Sequence, residues 1–296
     1  MPASPDPAEL TTEDRLTSWV KRSMDRRPEA LPVFPWVASK LLVLLERADV
    51  SVDKVEEIAC QDAVVSSQLL RTANSALLGG AVPVDRVAQA VIRLGFRQTR
   101  DVALTAACRA LFDVEDRAER EVFPEIWQGL WRDALLVAYG GRLLAAELDH
   151  GDPERVFAGG LFRNVGTLLV LKTVSAGVVR GRLKKPSLQT LAASIDDLHA
   201  EQGAAYIRSC GLPEHTAEFA ARHHEDALPL TQELMDLHLV RVADGLSEAL
   251  GVPPFSQREM SRIGAESAAT LGLLPERLEY FRLQFVGLLE QIRVLA

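Results

Sequence analysis

Residues 161–166 read Leu161-Phe162-Arg163-Asn164-Val165-Gly166, with a charged side chain and an amide between two apolar stretches. The preceding stretch begins at Asp152-Pro153, a capping residue followed by a proline that suits a first helical turn. The following stretch, residues 165–179, is the longest apolar run of the chain. The segment therefore predicts a helix, a short turn that carries Arg163-Asn164, and a second helix.

Helical spacing of apolar residues continues on both sides of this turn. On the N-terminal side, Ser51, Asp62 and Asp85 are predicted to cap successive short helices, and Gly95 to close the helix that Asp85 opens. Residues 113–121 are charged and lack an apolar period, which indicates a linker or the polar end of a helix. Because no alternating pattern requires a strand, we predict an all-α, multi-helix fold.

The composition is that of a globular chain, with 296 residues, 48% of them hydrophobic and 25% charged. A net charge of −8 argues against nucleic-acid binding. The N-terminus lacks the pattern of a signal peptide, and no apolar run approaches the roughly 20 residues of a membrane span. The three cysteines match no zinc or redox spacing, so we expect buried, reduced thiols in a cytoplasmic protein.

Several short motifs occur in a characteristic order. In the N-terminal half these are Leu31-Pro32-x-x-Pro35, Gln61-Asp62, Leu70-x-x-Ala73-Asn74-Ser75-Ala76 and Ala90-x-x-x-Leu94-Gly95. In the C-terminal half they are Leu130-Trp131-Arg132, Phe157-Ala158-Gly159-Gly160-Leu161, Leu198-His199-Ala200-Glu201-x-Gly203, Gly211-Leu212-Pro213 and His223-His224. Their order and spacing over residues 31–251 resemble the HDOD domain of bacterial signalling proteins, a relative of the HD metal phosphohydrolases.

This resemblance implies a multi-helix HDOD fold over residues 31–251. An N-terminal helical subdomain, residues 31–112, is expected to pack on an HD-like helical subdomain, residues 126–251. Residues 1–30 are predicted to form an arm and a short helix. Residues 252–296 are predicted to form C-terminal helices that pack on the HD-like half, although a dimer or partner surface stays open for them.

The resemblance also implies where a metal site has been lost. In HD phosphohydrolases the segment that corresponds to residues 161–166 carries a His-Asp pair that binds the metals, and here Arg163-Asn164 replaces it. A guanidinium repels a divalent cation and has no lone pair to donate. We therefore expect no catalytic residue, no metal and no cofactor. The vestigial HD pocket is predicted to comprise Asp133, Arg163, Asn164, His199, His223, His224 and Asp244.

These residues also have structural interpretations. His199 fits a polar residue satisfied within a buried helix contact, and His223 or His224 fits a helix C-terminus, where an imidazolium is favoured. Asp244 fits an ion pair with Arg241 or the cap of a turn. For Arg163 we favour an internal ion pair with Asp133 or Asp244 over the binding of an anion.

The resemblance implies a regulatory role, often beside two-component or cyclic di-GMP circuits and usually without demonstrated enzymatic activity. We predict a non-catalytic, cytoplasmic signalling module that binds a response regulator, a kinase or a small GTPase. Membrane and nucleic-acid partners are not expected. The alternatives are a sensor that binds a nucleotide or small anion in the pocket and, less favoured, a residual metal-dependent phosphohydrolase.

Overall fold

The computed structural model describes residues 12–26, 32, 34–45, 47, 49–75, 82–114, 116–255 and 258–295, and every regular element in these ranges is a helix. The α-helices are α1 Thr12–Arg26, α2 Trp36–Leu45, α3 Val52–Ala59, α4 Ala63–Ala73, α5 Val87–Phe112, α6 Arg117–Val122, α7 Pro124–Leu148, α8 Pro153–Phe162, α9 Val165–Val179, α10 Leu188–Ser209, α11 Glu214–Arg222, α12 Met235–Ala249, α13 Arg262–Thr270 and α14 Pro275–Leu295. A short 3-10 helix, Gln232–Leu234, precedes α12. The predicted all-α class is confirmed.

The chain forms two compact units. The smaller unit comprises Val33–Asp113 and Ile207–Glu214. The larger unit comprises Met1–Pro32, Val114–Tyr206 and His215–Ala296. The domain boundaries that the sequence suggested stay predictions, and those that involve Leu31 or the first residues of the chain lie outside the described residues.

The smaller unit is built around one apolar core to which α2, α3, α4 and α5 contribute. The hydroxyl of Ser51 accepts a hydrogen bond from the Lys54 amide, and the carboxylate of Asp62 accepts bonds from the Val64 and Val65 amides. The two predicted caps are thereby confirmed. They begin α3 and α4 so that Val55, Leu69 and other apolar residues of these helices face the core.

Helix α5 changes direction at Gly95, which has φ 73° and ψ 167°. The predicted interruption at this glycine is therefore present, because such a conformation is costly for a residue with a Cβ atom. The predicted start was wrong: the N-cap is Arg86 rather than Asp85, and its side chain makes no capping hydrogen bond.

Asn74 has the structural role that its short amide suggested. Its Nδ2 donates to the Val84 carbonyl and its Oδ1 accepts from the Val84 amide, both at 2.8 Å. The side chain thus joins the end of α4 to the segment before α5.

In the larger unit, α7 and α8 approach closely because Gly160 lacks a side chain. A Cβ atom at Gly160 would lie 2.7 Å from the backbone nitrogen of Ala138. On α14, Phe281 and Phe285 are fully buried, and the ring of Phe285 fills the space beside Gly140 of α7. The close contact at Gly160 positions the end of α8, and therefore the turn that carries Arg163.

Two expectations about local structure need correction. Residues 113–121 are not only a linker, because Asp116 caps the short helix α6 through a bond to the Ala118 amide. The buried residues Val122 and Phe123 hold the end of this helix. We expected three buried cysteines, but only Cys108 is buried; Cys210 is half-buried, and Cys60 is exposed at the C-terminal end of α3.

Residues Pro153–Val179 are together long enough and apolar enough to cross a membrane. We expected no such stretch, since the apolar run 165–179 is too short by itself. The length and composition are only a weak sign of a membrane span, because 67% of the apolar window is buried within the protein. The stretch is divided into α8 and α9 by the turn that carries Arg163 and Asn164. Core helices of a globular fold account for its composition.

Candidate functional site: a buried arginine beside three histidines

The guanidinium of Arg163 is fully buried at the end of α8, inside the larger unit. Its Nη2 donates to Asp133 Oδ2 of α7 and to Asp244 Oδ1 of α12, each at 2.5 Å. Its Nη1 donates to the Gly160 carbonyl at 2.8 Å. Arg163 therefore forms an internal ion pair with both candidate acids, as the favoured interpretation of the sequence expected.

Ser247 completes this arrangement. Ser247 Oγ donates to the second oxygen of Asp133 at 2.7 Å, so both oxygens of that carboxylate are hydrogen-bonded. The sequence reasoning missed Ser247, although its position three residues after Asp244 places both on one face of α12. The predicted alternative partner of Asp244, Arg241, is not the one it binds.

Burial and the neighbouring charges shift the pKa values of Arg163 and Asp133. Burial opposes the charge of Arg163, but the attraction of Asp133 and Asp244 outweighs it and raises the pKa of the guanidinium. Burial also raises the pKa of Asp133, since the attraction of Arg163 only partly opposes it and Asp244 adds repulsion. A permanently charged arginine thus holds the two buried carboxylates together.

Three imidazoles lie next to this cluster. His199 projects from α10, and His223 and His224 follow the last residue of α11. The ring centroids are 5.2 Å apart for His199 and His223, 5.0 Å for His199 and His224, and 4.1 Å for His223 and His224. One ring nitrogen of each lies within 4.8 Å of the others. The structure therefore brings these histidines together as the sequence grouped them.

His223 is held at both ring nitrogens. Its Nδ1 lies 3.0 Å from the carbonyl oxygens of Phe219 and Ala220, which are acceptors at the end of α11. Its Nε2 lies 3.1 Å from Asn164 Oδ1. Asn164 makes no capping bond with its side chain at the start of α9, so its amide is left for His223. The predicted capping role of His223 is present in this geometry.

The expectation of a charged imidazolium at this helix end was wrong. Burial lowers the pKa of His223 well below its ordinary value, and the other two histidines and Arg163 lower it further. His224 is exposed as a whole residue, yet its ring faces the other two. Loss of water lowers the pKa of His224 to about 4, despite the attraction of Asp244. Both rings are therefore neutral near pH 7.

His199 is buried, and its Nδ1 lies 2.8 Å from the Ile195 carbonyl one turn earlier in α10. This contact makes Nδ1 the protonated nitrogen and leaves a lone pair on Nε2. Among the described residues, Nε2 has no hydrogen-bond partner. The sequence interpretation of His199 as a fully satisfied core residue therefore accounts for only one of its two nitrogens.

Arg241 of α12 is a further buried cation, which the sequence offered only as a partner for Asp244. It is 2% exposed, and its Nε and Nη1 have no hydrogen-bond partner within the described part of the chain. Burial lowers the pKa of this guanidinium, while Glu266, Glu225 and Asp226 partly oppose that effect. Arg241 contributes positive charge near His224.

The dinuclear metal centre of HD phosphohydrolases does not fit these residues. At the two positions where the resemblance implies a His-Asp pair, Arg163 has no lone pair and the amide of Asn164 is engaged with His223. The carboxylates of Asp133 and Asp244 are bound to Arg163. Cations that needed these oxygens would have to compete with a buried guanidinium.

The fold and these polar groups define an all-α protein with a buried arginine–carboxylate cluster beside three imidazoles. The sequence matches the HDOD domain over residues 31–226, more than half of the chain. The chain belongs to the HDOD domain family. Among curated proteins, none matches it.

Several solved structures share the fold. A "Putative metal-dependent phosphohydrolase" from Shewanella amazonensis SB2B is 23% identical, with a TM-score of 0.68 over 95% of this chain and 99% of that one. An HDOD domain protein of unknown function from Geobacter sulfurreducens is 21% identical, with a TM-score of 0.66 over 94% and 96%. A "Putative signal transduction protein" from Marinobacter aquaeolei VT8 is 18% identical, with a TM-score of 0.67 over 97% and 66%.

Proposed function

We propose that this chain is a non-catalytic, cytoplasmic signalling module that acts by binding a protein partner. The observation that carries the proposal is the pairing of Arg163 Nη2 with both Asp133 and Asp244. Hydrolysis of a phosphoester by an HD-type centre needs a metal that lowers the pKa of a bound water and shields the phosphate. Here the carboxylates that would hold such metals neutralise an arginine instead.

Membership of the HDOD family supports a signalling role, since the family is one of bacterial signalling proteins and is generally non-catalytic. The M. aquaeolei neighbour carries a name of that kind, whereas the S. amazonensis neighbour is named for phosphohydrolysis. Because the two names describe different activities, catalysis has to be tested directly. We favour a response regulator, a kinase or a small GTPase as the partner, and a cyclic di-GMP circuit as one setting.

A sensor that binds a nucleotide or small anion through Arg163 is less well supported. Both Nη atoms of Arg163 already donate to internal acceptors, and only Nε has no acceptor within the described ranges. An incoming phosphate would have to displace Asp133 or Asp244 from a buried charged contact, and breaking such a contact is costly. The geometry therefore favours a structural role for this guanidinium.

The partner can be sought by crosslinking with the full, tag-free chain as bait in a lysate of its own source cells. We expect one stable partner, recovered in a fixed ratio. Bait variants W36E, I92E and L283E each place a charge on an exposed apolar position, with side-chain exposures of 50%, 70% and 56%. Loss of the partner with one variant, but not with the other two, would assign the binding face.

Catalysis is tested in parallel with cyclic di-GMP and a chromogenic phosphodiester at saturating Mn²⁺. We expect no turnover above that of the buffer. Turnover that disappears in the variant H199Q would overturn the non-catalytic proposal. If the unmodified bait recovers no partner, and W36E, I92E and L283E recover none either, the proposed protein interaction is wrong.

A further inference from the structure

The three histidines form a donor set that the buried arginine does not use. His199, His223 and His224 come from α10 and the end of α11, whereas Arg163 binds residues of α7, α8 and α12. A ring nitrogen of each histidine lies within 4.8 Å of the others. In a tetrahedral zinc site with bonds of 2.0–2.1 Å, ligand nitrogens lie about 3.4 Å apart. Small side-chain rotations, above all of the exposed His224, would bring the three to that spacing.

The lone pairs point to a cation rather than to an anion. In His199 the Nδ1 atom faces the Ile195 carbonyl, which fixes the proton there. In His223 the Nδ1 atom faces two carbonyl oxygens and Nε2 faces one amide oxygen, so the proton stays on Nδ1 when Nε2 turns from Asn164 to a cation. This leaves Nε2 as the donor atom, and an Nδ1–H bond to a carbonyl is the usual outer contact of a metal-binding histidine. An anion would instead require N–H groups that face the cluster.

A second, independent observation points to a ligand. Nε2 of His199 belongs to a side chain that is 5% exposed, and it has no hydrogen-bond partner among the described residues. Native proteins rarely leave a buried polar atom without a partner, because the loss of its water is then not compensated. A metal ion, or a water that marks the place of one, would satisfy this atom.

The surrounding charges permit one additional cation. Arg163 and Arg241 contribute positive charge around these rings, but Arg163 is paired with two carboxylates. Asp244 attracts positive charge at His224, and Asp196 lies close enough to interact with His199. The carboxylates of Asp133 and Asp244 therefore offset the charge of the buried Arg163 guanidinium.

We propose that this chain binds one divalent transition-metal ion through ring nitrogens of His199, His223 and His224. Three imidazoles without a carboxylate suit Zn²⁺, Co²⁺, Ni²⁺ or Cu²⁺, whereas Mg²⁺ and Ca²⁺ prefer oxygen ligands. The ion would join the end of α11 to α10, and His223 would exchange its contact with Asn164 for the metal. This site departs from the metal-free expectation of the sequence and from the two-metal centre of HD enzymes.

The test uses the full, tag-free chain after removal of metals with a chelator. Titration with Zn²⁺ followed by calorimetry should give one equivalent bound, and Co²⁺ should give the visible absorption of an ion bound by nitrogen atoms. H199Q and H224Q should each weaken Zn²⁺ binding at least tenfold. The matched control is H150Q, which changes an exposed histidine outside the cluster and should bind Zn²⁺ as the unmodified chain does.

Two outcomes would overturn the proposal. One is binding that H224Q leaves unchanged, since His224 is exposed and its substitution should not disturb folding. The other is absence of Zn²⁺ and Co²⁺ binding to the unmodified chain when its circular dichroism is that of a folded helical protein. Binding of two equivalents that D244N abolishes would also reject the single-ion site and favour a dinuclear centre. Failure of metal binding leaves the proposed partner interaction intact, because the crosslinking experiment requires no metal.

Discussion

Ser247 Oγ donates to Asp133 Oδ1 at 2.7 Å, while Asp133 Oδ2 accepts from Arg163. One carboxylate thus joins three helices, α7, α8 and α12, through a hydroxyl and a guanidinium. Buried carboxylates are tolerated where their oxygens are hydrogen-bonded and their charge is paired. The arrangement makes Asp133 a fixed internal connection between these helices.

Removal of the guanidinium is expected to destabilise the larger unit strongly. R163M leaves Asp133 and Asp244 buried without a counter-charge, which costs about 3–5 kcal/mol in comparable buried pairs. The free energy of unfolding in urea measures this loss. The combined variant D133N/R163M/D244N removes the uncompensated charges and should recover most of it.

The control for that experiment is R282M, which breaks the surface ion pair between Arg282 and Glu279. Exposed pairs of this kind contribute about 0–1 kcal/mol, so its stability should stay close to that of the unmodified chain. Equal effects of R163M and R282M would contradict the assignment of Arg163 as a buried structural charge.

The protonation of Asp133 should make a measurable contribution to the pH dependence of stability. Its pKa is raised in the folded protein, chiefly by burial, above the ordinary value of about 3.9. Between these two pKa values the folded chain holds a proton that the unfolded chain releases. The stabilisation from this proton is therefore complete below about pH 4 and is lost as pH rises through the folded pKa.

Comparison of the unmodified chain with D133N between pH 4 and pH 7 isolates this effect. The unfolding free energy of the unmodified chain minus that of D133N should fall as pH rises, by at most about 1.4 kcal/mol per pH unit for one proton. A difference that increases with pH would mean that the attraction of Arg163 outweighs burial and lowers the pKa of Asp133.

Gly166 is expected to be intolerant of any side chain. A Cβ atom there would lie 1.8 Å from the carbonyl oxygen of His199, so α9 and α10 would have to separate. We expect G166A to cost at least about 1–3 kcal/mol, the usual range for overpacking. The measurement is again urea unfolding.

Gly287 of α14 provides the matched control, since a Cβ atom there would meet nothing within 4 Å. Alanine is favoured over glycine within a helix by up to about 1 kcal/mol, so G287A should be neutral or stabilising. If G166A were as stable as G287A, the close contact of α9 with His199 would not exist in solution.

Much of the local structure could be predicted because its causes lie within a few residues. Ser51 and Asp62 cap helices through amides two or three positions away, and Asp152-Pro153 begins α8 in the same manner. The turn with Arg163-Asn164 was readable because it divides two apolar helical patterns. The ordered motifs also indicated the HDOD family, which the match over residues 31–226 confirms.

What the sequence could not determine depends on packing between distant segments. Ser247 and Asp133 are 114 positions apart, and no local pattern links them. Local helix chemistry favoured a charged His223, whereas burial beside His199 and Arg163 makes it neutral. The sequence by itself thus determined the helices and most of their caps. Only the tertiary structure decided that Arg163 binds both acids at once and that Nε2 of His199 has no partner among the described residues, because desolvation and long-range contacts arise when helices pack.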